Sequence, residues 1–372
     1  MAYKDLHDQP FDETTIVKLE IFQDYAQAWI PTFVMQDHVE EIHIFDFFAG
    51  TGYDKNGVPG SPVRLLNKIQ EQKGHLFQKQ VKVVVHLNEF EPNKKNQKKY
   101  EQLKKSCSGF MNNDKNLERK VTLKFYNEDF ETLFSKLLPE IKQYPSLVYL
   151  DQNGIKFIAT KYFLELEKTS QTDFLYFVSS SYLWRFGHSD EFKAHFNIDM
   201  DLVKKQGYEQ IHRTVTQELR KKLPTNTRLK LYPFSLKKGT NIYGIIFGAS
   251  HPRAVDKFLD IGWKRNGENG DANFDIDNEA QIAQLDAFTG QRLSKIDSFK
   301  KEVEKKVLNK EIRNNTELLD FTYEAGHIPK HAADCVRELK KVGKLIYESR
   351  SPLVTYDNVH KYHKKVQYLI NK

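Results

Sequence analysis

Apolar and polar positions alternate in blocks along the first two thirds of the chain, and these blocks predict a sheet covered by helices. Five short runs are rich in β-branched or aromatic residues and end in polar or acidic ones, which predicts strands at residues 42–45, 81–87, 121–126, 146–150 and 174–178. Helical patterns lie between them, at residues 62–72, 92–105, 130–144 and 155–168. This alternation is typical of a Rossmann-like, doubly wound α/β sheet.

Further segments extend this sheet at both ends. Residues 14–36 carry an apolar residue every three or four positions, which predicts a leading helix with a kink or break at Pro31. The runs at 228–233 and 241–248, joined by Lys-Lys-Gly, predict a hairpin that closes the sheet with an antiparallel edge.

The last part of the chain has a different pattern. Residues 279–310 predict a helix rich in Lys and Glu, and helical patterns at 317–323 and 330–341 flank a turn with Gly326 and Pro329, which is typical of a helix-turn-helix. The runs at 345–348 and 353–356 predict a β-hairpin, which completes a winged helix. We therefore predict a Rossmann-like domain over 1–271, a helical connector over 272–310 and a winged-helix-like domain over 311–372.

Composition narrows the class only slightly. Among 372 residues, 39% are hydrophobic and 13% aromatic, which indicates a folded protein, and a net charge of +7 permits a polyanionic partner without requiring one. Cys107 and Cys335 lie far apart without a CxxC motif, so a cysteine-based zinc module is excluded and a reducing compartment is favoured. The first residues lack an apolar signal core, and no run approaches the length of a membrane span. We predict a cytoplasmic protein without a membrane role.

The segment DFFAGTG, residues 46–52, directly follows the first predicted strand. Glycines there allow a sharp turn and a close approach of the backbone to a ligand. The spacing differs from the GxGxxG of a pyrophosphate binder, and the acidic residue precedes the glycines, so the segment favours S-adenosylmethionine over NAD. The candidate cofactor-binding residues here are Asp46, Phe48, Ala49, Gly50, Thr51 and Gly52.

The next two strands also end in acidic residues, at the same edge of a parallel sheet. Glu89, with Glu91 as the second candidate, is expected to accept hydrogen bonds from ribose hydroxyls. Asp129, with Glu128 as the alternative, is expected to accept from an adenine amino group while Phe130 packs on the ring. Each carboxylate alone is also an ordinary strand end, so their joint placement carries the prediction.

The fourth strand leads into DQNG, residues 151–154, where methyl transfer places groups next to the nucleophile. Asp151 and Asn153 are the candidate catalytic residues, since hydrogen bonds that orient an exocyclic amine supply much of such a rate. After the fifth strand, Tyr182 and Trp184 are candidates for stacking on a base and Arg185 for contacting a phosphate. Core packing of the two aromatic residues is the alternative.

Several segments together resemble the three-Cys-motif partner proteins over most of the chain. They are KLEIF and AWIP in the leading helix, DFFAGTG, NGVPGSP, DQNGIK, FLDIGWKRNGENGDANFDID and PKHAADCVRELKKVGK. The resemblance implies a class I S-adenosylmethionine-dependent methyltransferase fold with a C-terminal helical extension. It also implies cofactor contacts at Asp46, Gly50, Gly52, Glu89 and Asp129, and a partner protein that carries the three-cysteine motif.

One segment departs from the pattern of amino-methyltransferases. Their fourth-strand motif is an Asp or Asn followed by two prolines and an aromatic residue, and relatives of this family often show DPxG. Here Gln152 and Asn153 replace the proline and the aromatic residue, which puts catalysis on a flipped base in doubt.

The predicted winged helix carries basic residues suited to phosphate contacts. They are Lys330, His331, Arg337, Lys340, Lys341, Lys344 and Arg350. Winged helices also dock proteins, so a partner surface stays open. His327 and His331 are four apart, but Pro329 interrupts that face and no third ligand is evident, so we predict no metal site.

Two functional hypotheses follow from these patterns. The first is an S-adenosylmethionine-dependent methyltransferase that acts on nucleic acid, DNA or RNA. The alternative is a catalytically degenerate methyltransferase fold that binds nucleic acid or a partner protein.

Overall fold

The computed structural model describes residues 10–93, 97–151, 160–190, 193, 198–277 and 293–371, apart from the side chain of Tyr182. The chain forms two compact units, residues 1–251 and 252–372. The division predicted from the sequence, with boundaries at residues 271 and 310, stays a prediction. The helix at Pro252–Arg265, which that division places in the first domain, belongs to the second compact unit.

The first unit is built on a seven-stranded sheet, as predicted. Its strands are β1 (Glu41–Asp46), β2 (Lys82–Asn88), β3 (Val121–Tyr126), β4 (Ser146–Leu150), β5 (Thr172–Val178), β6 (Lys230–Lys238) and β7 (Asn241–Ala249). Their order across the sheet is β3-β2-β1-β4-β5-β7-β6. Strands β1 to β5 pair in parallel, and β7 pairs antiparallel with both β5 and β6. The strands β1, β2, β4 and β5 are almost wholly buried, because helices cover both faces of a doubly wound sheet.

Helices connect these strands in chain order. They are α1 (Glu13–Val34), α2 (Ser61–Glu71), α3 (Lys73–Lys79), α4 (Lys98–Asn112), α5 (Lys115–Glu118), α6 (Phe130–Gln143), α7 (Thr160–Glu167), α8 (Ser180–Phe186), α9 (Met200–Gln206) and α10 (Ile211–Arg220). The predicted leading helix is α1, whose start is capped by Asp12 and which continues through Pro31 for one more turn. The helices α3, α5 and α8 to α10 were not predicted. All of them except α10 have seven residues or fewer, which is too short to show a helical period.

The strand order places a topological switch point between β1 and β4. The chain runs from β1 to β2 and β3 on one side, and returns to β4 and β5 on the other. Crossovers leave the two strands in opposite directions, which opens a crevice at their carboxyl ends, where open α/β sheets bind ligands. Asp46, the last residue of β1, aligns with Tyr149 of β4 and with Leu87 of β2, so the predicted site residues gather at this edge.

The second unit contains a winged helix. Its helices are α11 (Pro252–Arg265), α12 (Lys295–Leu308), α13 (Asn315–Glu324) and α14 (Pro329–Lys341), and a two-stranded sheet pairs β8 (Leu345–Ile346) with β9 (Leu369–Ile370). The helix-turn-helix predicted from the sequence is α13, a turn at Gly326 and α14. In α12, predicted as part of a solvated connector, Phe299, Val303 and Val307 are buried, so this helix packs as part of the winged helix.

The predicted second strand of the hairpin is wrong. Residues 353–356 form no strand, and a π-helical turn follows at Asp357–Lys361. The partner of β8 lies instead near the end of the chain, at Leu369–Ile370. Asn315 holds the segment between β8 and β9 in place, since its side chain forms hydrogen bonds with Leu353 O, Lys364 O and Val366 N. None of the described helices combines the length and apolarity that a membrane span requires.

Candidate functional site

The turn after β1 has the geometry that its glycines predict. Gly50 has φ +66° and Gly52 has φ +92°, both in the left-handed region that other residues avoid. A Cβ on Gly52 would lie 2.7 Å from Cβ of Ser106, whose hydroxyl donates to Thr51 O at 2.9 Å. The backbone of this turn therefore passes too close to α4 for any larger residue at position 52.

Glu89 fixes the turn from the neighbouring strand. Its Oε2 accepts the Gly50 N–H at 2.9 Å, and the Ala49 N–H donates to Asn88 O at 2.9 Å. These two hydrogen bonds thus hold the loop after β1 against the end of β2. Glu91, the second candidate for the ribose, is engaged elsewhere, because its Oε2 accepts the Tyr100 N–H at 3.0 Å.

Asn88 is a site residue that the sequence did not single out. Its amide nitrogen donates to Phe47 O and Glu128 O, both at 3.1 Å, and its Oδ1 accepts the Glu128 N–H at 3.1 Å. Because it is buried and satisfied on both sides, it locks the loops after β1 and β3 to the end of β2. A buried amide at a strand end is the signal that could have found it.

Asp46 is a buried carboxyl with one oxygen left unsatisfied. It is 1% exposed, and its Oδ1 accepts the Phe48 N–H at 3.2 Å, while Oδ2 has no hydrogen-bond partner within the described part of the chain. Burial raises its pKa to about 7, an effect that Asp151 and Glu89 reinforce and that the nearby Ser61 hydroxyl opposes. Two acidic groups, at the ends of β2 and β4, therefore act on the buried carboxyl at the end of β1.

The end of β3 brings Asp129 and Phe130 to the same edge. The Asp129 side chain caps α6 by accepting the Glu131 N–H at 3.0 Å, and the alternative, Glu128, pairs with Lys136 at 2.7 Å. The Phe130 ring is 2% exposed and packs in the core, so the ring that stands half-buried beside it, Phe48 at 5.3 Å, is the better placed to meet a ligand.

Asp151 is held by a lysine of the leading helix. Lys18 Nζ lies 2.7 Å from Oδ1 and 2.6 Å from Oδ2 of Asp151, and the same ammonium sits 4.3 Å from the centre of the Phe177 ring. This ion pair was not foreseen, because the two residues are 133 positions apart. Asn153, the other candidate catalytic residue, lies outside the described residues, as do Gln152 and Gly154.

The aromatic residues after β5 are described only in part. The Trp184 ring lies edge-on to Tyr208 with ring centres 5.3 Å apart, which is packing within the unit, and it stays half-buried. Arg185 is exposed. The side chain of Tyr182 lies outside the described residues.

The basic residues of the winged helix do not form one uniform patch. Lys330, Arg337 and Lys341 are exposed at positions that share one face of α14, and Arg350 is exposed beyond β8. Three members of the predicted set have partners: the exposed Arg337 bonds to Asp334, Lys344 pairs with Glu304 at 2.8 Å, and Lys340 donates to Tyr347 O at 2.9 Å.

His331 is the exception in this set, because it is buried. Its Nδ1 lies 3.0 Å from Nδ1 of His327, and both rings pack on Trp263. Burial lowers the pKa of His331 to about 4 and that of His327 to about 2, so both rings are neutral. A buried neutral ring is poorly suited to a phosphate contact, so the role predicted for His331 stays a prediction that its burial does not favour.

A comparison with protein-family models found a match for one part of the chain. Residues 273–352 match the family model described as GMT-like wHTH domain. No curated protein matches the chain. Among solved structures, an O-methyltransferase of Streptomyces achromogenes, TomG, in complex with SAM, is 11% identical over 64% of this chain and 89% of that one, with a TM-score of 0.32.

A second solved structure is Trm1 of Pyrococcus horikoshii with S-adenosyl-L-methionine. It is 12% identical, and the match covers 67% of this chain and 59% of that one, with a TM-score of 0.35. At these TM-scores the two structures support no statement about what this chain does.

Proposed function

We propose that the first unit binds S-adenosylmethionine at the carboxyl ends of β1, β2 and β4 and transfers its methyl group. The observation that carries this proposal is the meeting of Asp46, Glu89 and Asp151 around a glycine turn at the topological switch point. The strand order and the glycine turn favour a ligand that contains a nucleoside. The carboxylates at this edge of the sheet then decide which ligand of that class fits best.

The charge favours a cationic ligand. S-adenosylmethionine brings a sulfonium and an ammonium group beside one carboxylate, whereas NAD brings two phosphates, which the carboxylates at this edge would repel. The unsatisfied Oδ2 of buried Asp46 would gain a partner from such a cation, and its carboxyl would then ionise. We expect Glu89 to accept from the ribose and Asp129 from the adenine. This expectation is supported by the position of Glu89 beside the glycine turn and by the half-buried Phe48 ring next to Phe130.

The methyl acceptor we propose is a nucleic acid held by the winged helix. Three residues of the predicted set are exposed and have no ion-pair partner within the described residues: Lys330, Lys341 and Arg350. Their charges are therefore available to bind phosphates. Asp151 would present a hydrogen bond to an exocyclic amine of the acceptor, as proposed for the end of β4.

A second candidate function is favoured by the Lys18–Asp151 pair. Both carboxylate oxygens of Asp151 lie within 2.7 Å of the Lys18 ammonium, so the group proposed to orient the acceptor is already engaged. In that case the fold binds the cofactor without methyl transfer and acts as a nucleic-acid- or partner-protein-binding module. A partner with a three-cysteine motif, as in the family that the sequence resembles, and a cytoplasmic location suited to two free cysteines stay part of this proposal.

A transfer assay distinguishes the two candidates. The full chain is incubated with S-adenosylmethionine labelled in the methyl group and with single-stranded DNA, duplex DNA or RNA, and label in the nucleic acid is counted. Methyl transfer that falls about 100-fold or more in Asp151→Ala, a loss typical of a positioned catalytic group, supports the enzyme. Cofactor binding without transfer to any acceptor supports the binding module, and absence of cofactor binding refutes both.

The contribution of the winged helix is tested by salt and charge. Lys330→Glu combined with Lys341→Glu should weaken nucleic-acid binding and reduce the magnitude of the slope of log K against log salt by about 1.4 to 1.8, since each phosphate contact contributes roughly 0.7 to 0.9. Lys340→Glu is not a suitable control, because that side chain also supports the Tyr347 loop. Lys301→Glu, at an exposed position on α12, is the control for Lys330→Glu and Lys341→Glu taken singly, because each of the three changes alters the net charge by the same amount.

A further inference from the structure

Two histidines from neighbouring strands meet a glutamate at the face of the sheet that α6 covers. His43 on β1 and His86 on β2 are each 2% exposed, and Glu140 of α6, with a side chain 33% exposed, reaches down to both. In the register of β1 and β2, His43 aligns with Val84 and Phe45 with His86, so both rings point to the same face. The described residues contain no other cluster of three such groups.

The three facing atoms have the spacing of metal ligands. His43 Nδ1 lies 3.0 Å from His86 Nε2, and each of these nitrogens lies 3.5 Å from Glu140 Oε2. Tetrahedral zinc with bonds of about 2.0–2.1 Å separates its ligand atoms by about 3.3 Å. An ion lying about 0.7 Å out of the plane of these atoms would be about 2.0–2.1 Å from all three, which is the zinc bond length.

The outer ring nitrogens support the same arrangement. His43 Nε2 lies 2.8 Å from Glu41 Oε1, and a carboxylate there requires the proton on Nε2, which leaves a lone pair on Nδ1. His86 Nδ1 lies 3.0 Å from the Tyr126 hydroxyl, whose oxygen can accept a hydrogen bond from Nδ1–H, and this tautomer leaves a lone pair on Nε2. Carboxylate and hydroxyl partners on the outer nitrogen are what metal-bound histidines have.

The protonation of the cluster is compatible with a cation. Burial lowers the pKa of His86 to about 2, reinforced by His43 and Lys124, and burial also lowers that of His43. With the ring proton on the outer nitrogen of each histidine, the two facing lone pairs, 3.0 Å apart, repel each other unless a proton or a metal lies between them. The Lys124 ammonium, 3.1 Å from Glu140 Oε2, is the cation that competes for this carboxylate.

We propose that His43, His86 and Glu140 bind one divalent cation of the zinc class. The site shares no residue with the proposed cofactor site and does not depend on it. The three ligands belong to the elements that carry the proposed cofactor residues, because β1 ends at Asp46, β2 precedes Glu89, and α6 begins after Asp129. A bound ion would clamp the two strands to the helix beneath that edge. The partly exposed Glu140 marks the side on which a water could complete the coordination.

Cobalt and zinc uptake by the full chain tests the site. After removal of metal with a chelator, Co²⁺ is added, and we expect one ion per chain with the intense visible absorption of tetrahedral Co²⁺, displaced by Zn²⁺. His86→Ala and Glu140→Gln should abolish this spectrum. Glu41→Gln, which removes only the partner of a ligand, should weaken Zn²⁺ binding by about 10–100-fold.

The controls separate this site from other histidines. His75→Ala removes an exposed histidine on α3, and His331→Ala breaks the second buried histidine pair. Both should keep the Co²⁺ spectrum. If His86→Ala does not fold, Glu140→Gln is the deciding variant, because residue 140 is partly exposed and tolerates the change better. Circular dichroism will show whether that variant is folded. No Co²⁺ uptake by the wild-type chain, or equal uptake by Glu140→Gln, overturns the proposal, as does loss of the spectrum in His331→Ala.

Discussion

Replacement of Asp46 by asparagine should change the pH dependence of stability in a direction fixed by its burial. The folded state raises the pKa of this carboxyl from its ordinary value of 3.8 to about 7. A carboxyl with a raised folded pKa makes its full contribution below the unfolded pKa and loses it as the pH rises through the folded pKa. Ionised Asp46 therefore destabilises the protein at alkaline pH, and the asparagine side chain that replaces it cannot ionise.

The magnitude follows from the two pKa values. The difference between 3.8 and about 7 corresponds to a penalty of about 4 kcal/mol at pH 8 and about 1.7 kcal/mol at pH 5. The asparagine keeps an oxygen for the Phe48 N–H, and the cost of burying its amide nitrogen, roughly 1–3 kcal/mol, is the same at both pH values. The effect of Asp46→Asn should thus become more favourable by about 2–3 kcal/mol from pH 5 to pH 8.

Urea unfolding at the two pH values, followed by circular dichroism, measures this change. Asp54→Asn is the matched control, since Asp54 is also a buried carboxyl: its burial raises the pKa, but hydrogen bonds from the backbone of Phe11, Val58 and Asn56 lower it overall. The contribution of Asp54 is complete above its unfolded pKa, so this variant should lose the same stability at pH 5 and pH 8. An effect of Asp46→Asn that does not vary between pH 5 and pH 8 would refute the reasoning.

Three further outcomes are expected. Gly52→Ala should lower the free energy of unfolding by about 1–3 kcal/mol more than Gly57→Ala in urea melts, because a Cβ meets another side chain only at position 52, while both positions have positive φ and position 57 has no described atom within 4 Å. Equal losses would contradict this. The thiol of Cys107, buried and with its pKa raised by burial to about 12, should react with a thiol reagent only when the protein unfolds, and rapid labelling of the native chain would show that α4 is not packed as described. The same holds for Cys335, with its pKa raised by burial to about 11.

The sheet could be predicted from the sequence because its strands are short apolar runs with helices between them. All seven strands coincide with predicted runs to within a few residues, apart from β6, which extends five residues beyond its run, to Lys238. The run at 353–356 was wrongly predicted to pair with β8. The strand that pairs with β8 is β9, which begins 23 residues after β8 ends. Local pattern cannot show that choice.

Some residues of the candidate site could be located from the sequence, and others could not. Asp46, the glycine turn and Glu89 could be predicted, because strand order alone brings strand ends to one edge. The Lys18–Asp151 pair could not, since it joins a helix and a strand end through tertiary packing. His43 and His86 looked like ordinary strand residues, although a histidine among β-branched neighbours in each of two adjacent strands is a signal that pairing would have revealed.

Calorimetric titration of S-adenosylmethionine into the full chain tests the central claim most directly. We predict one site with a dissociation constant of the order of micromolar, equivalent to about −8 kcal/mol. Binding should be lost in Glu89→Ala, which removes the acceptor of the Gly50 N–H, and kept in Glu91→Ala, whose carboxylate is engaged with Tyr100. Absence of binding to the wild-type chain, or binding that Glu89→Ala leaves unchanged, would contradict the account of this site.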